Sequence, residues 1–251
     1  MTSVAPLVIL FDQPLSVLKR KFQSLVDNSS DLLIEASVDQ AHSSLKVQEG
    51  SVGFDVDWTE DPPALSGYRP VFLAPSAPKA LSALSIKLSA DIAGGERVAP
   101  IAKAMLAFGA RIVRQLSAAA VMWTPGKIVS DPIFFAENVE NYAKGEVFPV
   151  LVTVDFDYEN DERTLRSSGL AWFSGQEIEL RGGDLHGQEL VRRAVRLVHD
   201  IGTNGAVTSP RQVPDLDPAK IIDMQPQQQG YVLICAIHSK SDVIMQTTTV
   251  H

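Results

Sequence analysis

Gly169-Leu170-Ala171-Trp172-Phe173-Ser174-Gly175-Gln176-Glu177-Ile178-Glu179-Leu180 gathers adjacent aromatics, paired glycines and spaced carboxylates into one short run. Read as a strand with a bend, it sends Glu177 and Glu179 out on the same side, because side chains two apart share a face of an extended backbone. A buried like-charge pair needs a cation, a shared proton or water, and water is the commonest answer. Upstream, Phe148 to Tyr158 alternates regularly. Val150, Val152, Val154, Phe156 and Tyr158 take one face, and Thr153, Asp155, Asp157 and Glu159 the other. The polar turn Glu159-Asn160-Asp161-Glu162 then returns the chain through Leu165 to Leu180, which predicts a long antiparallel hairpin.

Working outward, helical periodicity alternates with these strands. Pro6 to Phe11 predicts a strand, and Asp12 with Pro14 starts a helix that carries Leu15, Leu18, Phe22 and Leu25. Leu32 to Val38 and Val52 to Trp58 read as further strands, with Asp55 and Asp57 facing water. Strand, helix, strand, strand is the opening of a ferredoxin-like split βαβ unit. Prolines and Gly67 between residues 60 and 80 predict a linker or irregular connection. Beyond it come a strand from Leu81 to Leu88, the longest helix from Arg97 to Leu116 with Pro100 in its first turn, and a buried strand from Ala118 to Trp123. Asp131-Pro132 opens a helix through Tyr142. Another runs from Gln188 to Ile201 with Gly202 as its stop, and strands at 231–237 and 242–249 close the chain. The expectation is an α+β fold of two lobes, residues 1–75 and 76–251, each a mainly antiparallel sheet with packed helices and the first lobe ferredoxin-like.

The motif Gly-Leu, aromatic, Gly, then Glu-hydrophobic-Glu resembles a bacterial domain family of unknown function, the family numbered 4261. The likeness covers residues 80–182. Ala119-Ala120-Val121-Met122-Trp123 stands where the family has an Ala-Val-x-Trp-like strand, and Gly169, Leu170, Phe173, Glu177 and Glu179 match the closing motif. Ser174 departs from it, standing where the family has glycine, with Gly175 following. The resemblance implies a bacterial source and a fold, and no activity.

Composition narrows the functional classes. Hydrophobic residues at 45% and charged residues at 21% are globular usage, and a net charge of −8 opposes a nucleic acid partner, which needs concentrated Lys and Arg. No apolar run is long enough to span a membrane, and Met1 to Val8 lacks a secretory pattern. A single cysteine, Cys235, excludes an intrachain disulfide and fits a reducing, cytoplasmic setting. The five histidines, His42, His186, His199, His238 and His251, never stand three or four apart, so no helix presents a zinc pair. No phosphate loop, dinucleotide fingerprint or nucleophile elbow occurs. No catalytic residue, metal ligand or cofactor is therefore assigned.

The expected function is a non-catalytic interaction or ligand-binding protein. Its partner or ligand surface is assigned to Trp172, Glu177, Glu179, Asp155, Asp157 and His186. The alternative is an enzyme that uses the acidic hairpin with a divalent metal, since hard cations take oxygen ligands, or with His186 before the last helix. Arg163, Arg166 and Arg181 are candidates to pair with the same carboxylates. A homodimer through a sheet edge or through Trp172 stays open as a further alternative.

Overall fold

In a computed structural model, the structure describes residues 4–34, 44–74, 79–159, 163–227 and 230–240. The expected strand at 242–249, the residues 35–38 of an earlier one, the turn residues Asn160 to Glu162, His42 and His251 lie outside the described residues. The chain forms two compact units, Met1–Thr153 and Val154–His251.

The first unit contains β1 (Leu7–Phe11), α1 (Leu15–Asp27), β2 (Leu32–Ile34), β3 (Ser44–Glu49), β4 (Val52–Thr59), β5 (Arg69–Val71), β6 (Ser82–Leu88), α2 (Ala99–Leu116), β7 (Ala120–Trp123), β8 (Ile128–Ser130), α3 (Pro132–Ala143) and α4 (Val150–Thr153). Its sheet runs β2-β3-β4-β6-β1-β7-β8-β5, antiparallel except for the β5–β8 pair. β1 is buried at every residue because both of its faces are covered. On one side α2 packs against it so closely that a Cβ on Gly109 would stand 2.3 Å from Leu7 Cδ2. Phe108 of α2 also stacks on Phe54 of β4 at 4.7 Å. On the other side, Val8, Leu10, Ala83, Ala120, Met122 and Val129 form a cluster covered by Leu65, Tyr68, Leu73 and Ala80.

That second layer corrects the expected organisation. In the proline-rich stretch the irregular connection contributes β5, and Leu65, Tyr68, Leu73 and Ala80 cover a buried sheet face, so it is part of the first unit and does not separate two lobes. The lobe boundary at 75/76 is replaced by one at 153/154. β1 takes β6 and β7 as neighbours, both from beyond residue 75, and β3 enters between β2 and β4, so the opening β1, α1, β2 and β4 does not close into a ferredoxin-like sheet of its own. The α+β class itself is what the chain adopts, with two sheets and helices against them. Asp131 starts α3 as its sequence indicates, accepting from Phe134 N at 2.9 Å.

The second unit contains β9 (Asp155–Glu159), β10 (Thr164–Ser168), α5 (Leu170–Ser174), β11 (Glu177–Arg181), α6 (Gly187–Asn204), β12 (Arg211–Pro214), β13 (Lys220–Pro226) and β14 (Val232–Ser239). Its strands lie in the order β12-β13-β14-β11-β10-β9, and only β11 and β14 run parallel. The regular strand expected over 148–158 is a helical turn followed by β9. Thr153 Oγ1 donates to Pro149 O at 2.7 Å across that turn, and Val150, Val152, Thr153 and Val154 are all buried. α6 runs past Gly202 to Asn204, and Gly205, at φ 90°, closes it.

Because β1 is the spine of the first unit and lies within the first eleven residues, fragments should separate the two boundaries. Residues 1–153 alone should unfold in one sigmoidal thermal transition by circular dichroism. Residues 76–251, deprived of β1, should show a cooperative transition only for their second unit. A fully folded 76–251 fragment would contradict the division at 153/154.

Candidate functional site

The signature segment is two strands clasped by a turn of helix. β10 ends at Ser168, Gly169 (φ 105°) opens α5, Gly175 (φ 81°) closes it, and β11 begins at Glu177. Both glycines occupy left-handed backbone, which a side chain would strain. A helix of five residues satisfies little of its own backbone, so its amino-terminal N–H groups need an acceptor. Glu177 supplies it. Its carboxylate accepts from Gly169 N at 2.8 Å, Leu170 N at 3.3 Å and Ala171 N at 3.0 Å, and from the Ser167 hydroxyl at 2.5 Å. Ser167 Oγ in turn accepts from Ile178 N at 2.8 Å.

The next polar side chains of the segment are consumed in the same way. Ser174 Oγ accepts from Gln176 N at 3.1 Å and lies 3.2 Å from Leu170 O. Buried Gln176 donates to Val207 O at 3.0 Å and accepts from Val207 N at 2.9 Å, so its amide imitates a strand neighbour for the chain leaving α6.

The expected acidic rows do share one face. β10 lies between β9 and β11, with Arg166 opposite both Asp157 and Glu179. Arg166 Nε donates to Glu179 at 3.0 Å, its Nη1 donates to Glu159, and Arg181 donates to Glu179 at 2.7 and 2.9 Å. Arg163 turns instead to Gly183 O at 3.0 Å. Burial on its own would raise the Glu179 carboxyl, but hydrogen bonds from Arg181 and Arg166 outweigh it and hold the group below the ordinary range. Separate donor sets therefore serve Glu177 and Glu179. Among the described residues no three His, Cys, Asp or Glu side chains converge as a metal site.

The remaining assigned residues fall elsewhere. His186 occupies the N-cap position of α6 without a side-chain capping hydrogen bond, and its carbonyl accepts from Glu189 and Leu190. The adjoining Gly187 lies against the Tyr158 ring. Tyr158 points to the face opposite Asp155, Asp157 and Glu159, so His186 and the acidic rows stand on opposite sides of the sheet. Trp172 and Phe173 are consecutive on a helical turn, not alternate on a strand. Phe173 is buried, Trp172 is half-buried, and their rings meet edge to face at 4.8 Å. Burial pushes the Cys235 thiol up to about 12, which leaves no thiolate for nucleophilic work.

A buried ion pair escaped the sequence reading. Arg193 on α6 grips Asp215 with two parallel bonds, 2.7 and 2.9 Å, and also bonds Glu189 at 2.8 Å. Burial alone would raise the Asp215 carboxyl, but Arg193 and the amides of Leu216 and Asp217 outweigh it and lower the group. The pair fastens the loop after β12 to α6. In the sequence Arg193 stands in a basic run with Arg192 and Arg196 that reads as a solvated helix face, and nothing local points to Asp215 as its partner.

Comparison with protein-family models, with curated proteins and with solved structures returned no match. Among the described residues no helix is long and apolar enough to cross a membrane.

Two measurements follow from these contacts. Glu177→Gln replaces an acceptor of several N–H groups by an amide that offers only one oxygen, and should cost about 2 kcal/mol in denaturant unfolding; an unchanged midpoint would refute the clasp. Asp215→Asn should cost about 3–5 kcal/mol at neutral pH because it strands a buried guanidinium. The lowered Asp215 carboxyl contributes stability that is complete above its unfolded value near about pH 4 and is lost as pH falls through its folded value. The melting-temperature gap between wild type and D215N should therefore narrow on acidification below about pH 4.

Proposed function

We propose that this chain is a non-catalytic interaction protein whose partner surface is the face of the second sheet turned away from α6. The observation that carries the reading is the contrast between the two faces. Leu165, Ile178, Leu180, Met224, Leu233 and Cys235 are buried on the α6 side. The opposite side presents Asp155, Asp157, Glu159, Glu179 and Asp223 beside half-buried Val232, Ile234 and Ala236, with Arg166 and Arg181 among them. A half-apolar, predominantly acidic sheet face suits a protein surface that brings positive charge and some hydrophobic area.

The carboxylates on that face support binding over chemistry, because each of Glu159, Glu177 and Glu179 is engaged by an arginine or by backbone amides. The proposal also includes a bacterial, cytoplasmic setting and kinship with the unknown-function family that residues 80–182 resemble. The lone buried cysteine and the matching motif positions support it.

A photo-crosslinking residue at position 157 should capture a discrete partner in cells, reproduced with the purified partner, whereas the same residue at Arg192 on the exposed side of α6 should not. Titration with Mg²⁺ or Ca²⁺ should leave the melting temperature unchanged. A saturable rise that Asp157→Asn and Glu179→Gln abolish would instead establish the metal-dependent enzyme.

A further inference from the structure

We draw no further inference here: the strongest candidate, the cleft of about 390 Å³ across β2, β3 and β4 lined by Leu33, Ile34, Lys46, Gln48, Ser89 and Asp91, carries nothing because the chain runs on from Ile34 at its wall into residues 35–43, which lie outside the described residues, and nothing in the structure shows what covers it.

Discussion

The second unit depends on one carboxylate meeting a row of backbone amides. A helical turn of five residues cannot persist on its own propensity, since nucleating a helix costs more than so few hydrogen bonds return. Glu177 supplies the missing acceptor from the first residue of β11, and Ser167 ties that carboxylate to the end of β10. The strand on either side of α5 is thereby held to the turn between them. Gln176 extends the same clasp to Val207, on the segment that leaves α6. What reads in one dimension as spaced carboxylates on a strand is, at Glu177, a fastening in three.

The acidic face follows from that arrangement. With Glu177 engaged by amides, Arg166 is left to neutralise Glu159 and Glu179 across β10, and Arg181 completes the pairing of Glu179. Partly exposed ion pairs of this kind contribute little to stability, typically under about 1 kcal/mol each. Their consequence is orientation: they hold an acidic row flat along the sheet, with exposed Asp157 between its partners. The other face is closed by α6, which the buried Arg193–Asp215 pair locks to the loop after β12. The same sheet therefore has a sealed apolar side and a charged side.

Much of this was legible in the residues. The helical stripe of α2, the Asp131-Pro132 start of α3 and the buried alternation of Phe54, Val56 and Trp58 all follow from period and capping, whereas the meeting of the two acidic rows on one face waits on the strand register. Val150, Val152 and Val154 misled because a short apolar run satisfies a strand period and a helical turn equally, and Pro149 with Thr153 tips it to the turn. Leu45 and Val47 in β3, and Ile222 and Met224 in β13, carried a strand alternation that glutamine- and proline-rich surroundings obscured. The covering role of Leu65, Tyr68, Leu73 and Ala80 was not legible, because only the three-dimensional sheet reveals that β1 has a second apolar face needing cover. Nor was the Glu177 cradle, whose donors are main-chain groups that no side-chain pattern announces.

The central claim is that these carboxylates grip the protein's own amides and arginines and not an ion. Anomalous diffraction from crystals soaked in Mn²⁺ tests it most directly. The account predicts no anomalous peak near Asp157, Glu177 or Glu179, with Arg166 still bridging Glu159 and Glu179. A manganese peak among these oxygens, with the Arg166 guanidinium displaced, would contradict it.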